Sequence, residues 1–403
     1  MKKCLSFPIA ASIALSVLSF ANIANAQHYG MVNLVSNKTG VAAVTDKFLV
    51  NPWGLSRAAG SPWWVSDNGT GFSSLYNGAG AIVPLDVSIP RSNPTSGVFK
   101  AGTPTGTISN ASTTDFLLAP GAPAVFLFAT IDGTISGWNP TVGVPAGGSP
   151  PSQHSVIMVK TTDGSVFTGL TSSTIKGKRY LYAANFSKGR VDVFDNAFHR
   201  VTLPSVADSG DGDANNDLDK PFTDEHLPPN YVPFNVQAIG SDIVVTYALL
   251  ESGNQFETDG PGLGRVDIYS SNGALLRSLQ SGSWLNAPWG VALAPLDFGF
   301  YSHALLIGQF AGGGFSENSG TIAAYDLATG RYLGQMLDQT GKPIAINGLW
   351  ALAPGNGSSA NNYDAIGAPA SEMYFTAGPN HGTGGLFGFM GPVASELTGG
   401  DDQ

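Results

Sequence analysis

Asn51-Pro52-Trp53-Gly54-Leu55-Ser56 decides the reading of this chain, because Asn286-Ala287-Pro288-Trp289-Gly290-Val291-Ala292 repeats it closely. Looser copies are Val232-Pro233-Phe234-Asn235-Val236-Gln237, Val166-Phe167-Thr168-Gly169-Leu170-Thr171 and Ile346-Asn347-Gly348-Leu349-Trp350-Ala351. A turn and two or three alternating apolar runs follow each copy. A supersecondary unit recurring about every 50–60 residues predicts a β-propeller, with one copy opening each blade. The fold class is all-β.

The third strands support this. Gly189-Arg190-Val191-Asp192-Val193-Phe194-Asp195 matches Gly264-Arg265-Val266-Asp267-Ile268-Tyr269-Ser270. Gly320-Thr321-Ile322-Ala323-Ala324-Tyr325-Asp326 and Gly133-Thr134-Ile135-Ser136-Gly137-Trp138-Asn139 follow the same scheme. Period-two alternation fits strands packed between neighbouring blades, and the aromatic five places after the Gly predicts interblade core. Asp67-Asn68-Gly69-Thr70-Gly71 and Asp132-Gly133 read as tight hairpin turns.

Six blades are expected over residues 27–390. Blade 2 is the least regular, and its first strand is placed at residues 115–118. Blade 6 lacks a fourth strand, while the strand at residues 31–36 is left over at the other end of the chain. The two together predict that the N-terminal strand pairs with residues 385–390 and closes the ring, which removes two open sheet edges. Residues 391–403 read as a disordered polar tail.

Composition fits one large ring. The chain has 403 residues, with 52 Gly and 26 Pro for many turns between short strands. Residues 1–26 read as a signal peptide: Lys2-Lys3, an apolar run, then Ala24-Asn25-Ala26 as a cleavage site. An extracellular or periplasmic protein is implied. Cys4, the single cysteine, lies in this segment, so the mature chain has no disulfide. No later stretch is long enough for a membrane span. Without Lys2 and Lys3, 17 basic residues face 29 acidic ones, a net charge of −12 that argues against nucleic-acid binding.

With the motifs Pro62-Trp63-Trp64-Val65-Ser66-Asp67-Asn68-Gly69-Thr70-Gly71 and Tyr231-Val232-Pro233-Phe234-Asn235-Val236-Gln237 added to the repeats above, the chain resembles an uncharacterised family of secreted bacterial proteins. Those proteins are similar to NHL-repeat propellers, and some carry a C-terminal PEP-CTERM sorting signal. The resemblance implies an extracytoplasmic propeller and supplies no activity. This chain departs from the sorted members, since it has no Pro-Glu-Pro motif, C-terminal apolar helix or basic tail.

The chemistry is less legible. There is no G-x-S-x-G, H-E-x-x-H, P-loop or G-x-G-x-x-G, and the six histidines are scattered without metal-ligand spacing. First strands line a propeller channel, so Asn51, Asn235, Asn286 and Asn347 are placed at one mouth. Asp67, Asn68, Asn185 and Gln309, at the ends of second strands, are placed at the opposite rim or a blade loop. These oxygens suit Ca²⁺, and they resemble the ligands of six-bladed calcium-dependent lactonases; the same amides could equally satisfy backbone groups. A second Ca²⁺ candidate is the acidic loop, with Asp211, Asp213, Asn215, Asp217 and Asp219 at alternate positions. It fails the EF-hand pattern, having Asn216 and Phe222 where Gly and Glu are required. Trp63, Trp64, Trp138 and Trp284 are either sugar-stacking platforms or interblade core. Three readings stay open. One is a monomeric binding or scaffold propeller for a small molecule, glycan or protein. Another is a Ca²⁺-dependent lactonase- or esterase-like hydrolase. The third is a structural matrix component without a ligand.

Overall fold

The computed structural model describes residues 27–93, 101–207, 218–253, 255–310, 320–355 and 371–399. The expected export segment lies outside them. The fold is a six-bladed β-propeller of four-stranded antiparallel sheets. Its innermost strands are Pro52–Ser56, Pro104–Ser109, Phe167–Ile175, Tyr231–Ile239, Pro288–Leu293 and Leu349–Pro354. Three of these strands begin with Pro, a residue that suits a strand start because it donates nothing to the ladder.

Blade 2 corrects the expected strand order. Its inner strand is Pro104–Ser109, paired with Phe126–Thr130. Of the stretch placed there from sequence, residues 115–118, Leu117 and Leu118 instead belong to Leu117–Ala119, which forms a small hairpin with Ala122–Pro123. Pro104-Thr105-Gly106 carries the repeat without its aromatic, so the copy is hidden in the sequence.

Ring closure is as expected. His28–Ser36 is the outer strand of blade 6, antiparallel to Leu386–Pro392 with Met31 opposite Met390. Val44–Thr45 and Leu337–Asp338 pair in parallel with its two ends. The ordered fold also runs past Gly391, where sequence suggested a tail. The last strand extends to Pro392, and a 3-10 turn follows at Ala394–Gly399. The Glu396 carboxylate there accepts from the His28 N–H at 2.7 Å.

Six apolar cores lie between consecutive blades, and a seventh sits on the axis. Phe194, Tyr269, Tyr325 and Trp138, the third-strand aromatics, are all buried. Trp63 and Trp64 are buried too, and Trp284 stacks on Tyr332 at 3.9 Å. These tryptophans are therefore packing elements and not platforms for sugar. Among the described residues, no helix is long and apolar enough to cross a membrane.

Candidate functional site

Each inner strand begins with a matching triplet: Pro52-Trp53-Gly54, Pro104-Thr105-Gly106, Phe167-Thr168-Gly169, Pro233-Phe234-Asn235, Pro288-Trp289-Gly290 and Leu349-Trp350-Ala351. In all six blades the strand register shifts at this point. Such a bulge bends the strand and re-aims a side chain. The third position is Gly or Ala in five of the six blades, with Asn235 the exception, because neighbouring inner strands nearly touch. A Cβ on Gly54 would collide with the Thr105 carbonyl, and one on Gly290 would lie 2.7 Å from the Trp350 carbonyl.

The second position fills the axis. Trp53 stacks on Trp350 at 3.7 Å between ring centres and meets Trp289 edge-on at 6.2 Å. Phe234 lies 6.0 Å from Trp350. Trp53 with Trp289 and Phe234 with Trp350 join blades that are not neighbours, so these rings meet across the channel. The Trp289 indole N–H donates to the Thr168 carbonyl at 3.0 Å, reaching from blade 5 past blade 4 to blade 3. Trp350 donates to Asn51 Oδ1 at 3.0 Å. The Trp53 indole N–H is buried without an acceptor. Below the plug, Leu55, Gln237, Trp289 and Leu352 help to line a cavity of about 20 Å³. That volume admits a water and excludes an organic ligand.

The polar residues singled out from sequence are mostly joints of this assembly. They also share one rim, which corrects the expected split between two. An antiparallel hairpin sets the end of its second strand beside the start of its first, as in the pairing of Pro52 with Asp67 and of Pro288 with Gln309. Asn51, at φ 47°, donates to Asn68 Oδ1 at 3.3 Å, and Asn68 donates to the Pro104 carbonyl at 3.1 Å. Asn235 donates to the Trp289 carbonyl at 2.7 Å. Asn286 Oδ1 accepts from the Gly260 N–H at 2.8 Å, and the Asn286 N–H donates to Gln309 Oε1 at 2.8 Å. Asn185 donates to Ser165 Oγ at 2.9 Å and to Asp192 at 2.6 Å. Asn347 is half-buried at the start of blade 6. Asp67 is fully buried, with Oδ2 accepting from the Ser74 N–H at 3.0 Å. It faces blade 6 and the 37–51 connection, away from the axis.

Of the acidic loop, Asp211, Asp213, Asn215 and Asp217 lie outside the described residues. Asp219 closes the short strand Leu218–Asp219, paired with Val206–Ala207. Among the described residues, no three His, Cys, Asp or Glu side chains converge as a metal group.

The feature missed from sequence lies above the tryptophan plug. Ile131, Val166, Val232, Leu250 and Phe310 are half-buried around the axial core, with Phe186 beneath them. Phe310 stacks on Trp350 at 4.1 Å. Ile131, Phe186, Leu250 and Phe310 each directly follow a second strand, and that shared position was the available signal. The 250–263 loop is tied to this mouth, since Gly260 bonds Asn286 and the Phe310 N–H bonds the adjacent Ala287 carbonyl. It carries Glu257, which keeps part of its surface exposed. Desolvation nonetheless lifts its carboxyl to about 7, and the charge of Asp259 adds to the effect. The result is an apolar, aromatic-floored bowl with an ionisable carboxyl on the loop beside it.

No family model matches the chain. It is 30% identical over 359 residues to uncharacterised protein R648 of Acanthamoeba polyphaga mimivirus, covering 88% of this chain and 78% of that protein. Uncharacterised protein L690 of the same virus is 29% identical over 365 residues, covering 89% and 84%. Among solved structures, the PQQ-bound aldose sugar dehydrogenase of Streptomyces coelicolor has a TM-score of 0.47 at 11% identity, covering 91% of this chain and 99% of that one. Virginiamycin B lyase of Staphylococcus aureus has a TM-score of 0.43 at 11% identity, with the same coverage. None of their chemistry transfers at this identity.

Proposed function

Because the chain belongs to the family of the mimivirus protein R648, which has no named activity, we propose its function from the site: a binding propeller whose mouth takes a small, flat, apolar ligand. The observation that carries this is Phe310 stacked on Trp350 at the centre of an apolar ring drawn from several blades. An aromatic floor favours a ring laid against it. Glu257 ionises near 7 and suits a ligand that carries a hydrogen-bond donor or a protonated amine. The protein acts as an exported monomer, a reading supported by the basic and apolar pattern of residues 1–26. The calcium-dependent hydrolase reading is not favoured, because the amide oxygens of Asn51, Asn286 and Gln309 already accept internal hydrogen bonds.

The test is a thermal-shift and tryptophan-fluorescence screen with planar ring compounds, each paired with an amine-bearing analogue. A compound that binds should raise the melting temperature and quench emission in the wild type. Phe310→Ala should lose both effects, while Phe300→Ala, far from the mouth in a connection within blade 5, should keep them. Equal binding by Phe310→Ala, or no binder in the screen, would overturn the reading.

A further inference from the structure

The seam where the ring closes holds two buried carboxyl groups, and among the described residues no basic side chain forms an ion pair with either. In blade 1 the hairpin of Trp63–Asp67 and Phe72–Tyr76 turns Asp67, Ser74 and Tyr76 to one face. That face packs on blade 6, since Trp63, Val65 and Tyr76 share a core with Tyr374 and Phe387. Asp67 is 0% exposed; Oδ2 takes the Ser74 N–H, and Oδ1 has no partner. Ser74 Oγ, on a residue 1% exposed, lies against Asp67 yet makes no hydrogen bond of normal geometry.

Asp46 enters from the connection that leads from the closing strand to blade 1, and it is 7% exposed. Its Oδ2 accepts from the Tyr76 hydroxyl at 2.8 Å and its Oδ1 from the Phe48 N–H at 2.9 Å. The charged groups acting on Asp67 are Asp46 and half-buried Asp86, both acidic. Lys47 acts on Asp86, and its ammonium sits 5.0 Å over the Phe48 ring. Burial and like charge also push the Asp67 carboxyl well up. Two buried carboxylates without a counter-charge take up either a proton or a cation.

We propose that a hard divalent cation of the Ca²⁺ class binds between Asp67 and Asp46 and pins the 37–51 connection to blade 1. Asp67 Oδ1 and Ser74 Oγ supply the uncommitted oxygens, and Asp46 supplies the second carboxylate. Ca²⁺ accepts an irregular set of oxygens completed by backbone carbonyls and water, so a third acidic ligand is not required. The site joins the segment that follows the closing strand to the first blade. It thereby makes closure of the ring dependent on the cation, and it does not rest on ligand binding at the mouth.

The test uses the full chain after dialysis against a chelator. Bound calcium is counted by elemental analysis, and melting is followed with and without CaCl₂. One Ca²⁺ per chain is expected at this site, with a rise in melting temperature. Asp67→Asn and Asp46→Asn should each lose that ion and that rise, and Asp211→Ala with Asp213→Ala should keep both. Should Asp67→Asn not fold, Ser74→Ala keeps both charges and should weaken calcium binding several-fold. Undiminished binding by Asp67→Asn, or by Ser74→Ala where Asp67→Asn does not fold, would overturn the site. So would loss of all calcium in the loop variant. A wild type without calcium response, alongside an Asp67→Asn that melts higher, would show that a proton does the neutralising.

Discussion

Deleting residues 27–36 is the most demanding test of the ring. It removes the outer strand of blade 6, which pairs with the last strand at seven residue positions from Tyr29 to Ser36. Tyr29, Leu34 and Val35 are 1%, 8% and 0% exposed. At about 1.5–3 kcal/mol for each buried side chain, roughly 4.5–9 kcal/mol of apolar burial is lost. The hydrogen bond from the Tyr29 hydroxyl to the Phe298 carbonyl, 2.8 Å, goes with it. Whole proteins are stable by about 5–15 kcal/mol, so this loss is of the same order as the entire margin. The exposed edge of Leu386–Pro392 would also become a template for association. The truncated chain should melt at least about 10 °C lower by circular dichroism and should associate on size-exclusion chromatography. A synthetic peptide of residues 27–40, added in trans, should restore the melt saturably. A truncated monomer that melts within about 2 °C of the full chain would refute the energetic role given to closure.

Three further outcomes are expected. Asp267 is buried, and burial lifts its carboxyl to about 7, so the folded state holds an extra proton between about pH 4 and 7 and its stability contribution falls as pH rises through that window. Asp267→Asn should flatten that fall by up to a few kcal/mol, read from urea midpoints at about pH 4.5 and 8. Asp192→Ala should cost about 1–3 kcal/mol in chemical denaturation by stranding the Asn185 amide, whereas Arg200→Ala, half-exposed and 3.8 Å from Asp192, should change stability by less than about 1 kcal/mol. Export should leave Gln27 as the N-terminus, checked by intact mass of protein recovered outside the cytoplasm.

The parts legible in the sequence were those where backbone geometry restricts residue choice. The Pro-Trp-Gly copies stood out because a bulge, a close approach and an axial ring each limit what a position tolerates. Blade 2 has Thr105 in place of the ring and so escaped notice until Phe126–Thr130 paired beside it. The third-strand aromatics were read correctly because alternation and volume both point to the interblade core. The asparagines were harder, since an amide oxygen serves a cation or an N–H equally well. Only the N–H partners of the Asn51 and Asn286 oxygens decide between those roles. The strand pattern by itself put Asn51 and Asn68 at different ends of the blade, and antiparallel pairing brings them together. Glu257 lies in a stretch, Phe256-Glu257-Thr258-Asp259-Gly260, with no local signature. Its shifted carboxyl comes from tertiary burial, which no short window encodes.

The plug explains why binding is assigned to one face. Six large rings would not fit where inner strands approach this closely, and the six second-position residues divide accordingly. Trp53, Phe234, Trp289 and Trp350 bring rings from blades 1, 4, 5 and 6, while blades 2 and 3 bring Thr105 and Thr168. The small pair makes room and supplies acceptors or donors. Thr168 offers its carbonyl to Trp289, and the Thr105 hydroxyl donates to the Phe167 carbonyl at 2.8 Å. The asymmetry lets the four rings pack against one another and fill the axis. The cavity below is lined by Leu55, Gln237 and Leu352, which the bowl above does not use. On the proposed reading, a ligand at the mouth would meet a floor of Trp350 and Phe310, with selectivity set by the residues that follow the second strands. Ile131, Phe186, Leu250 and Phe310 occupy those positions, while blades 1 and 6 have Asn68 and Gly378 there. The bowl is apolar on four sides and polar or open on two.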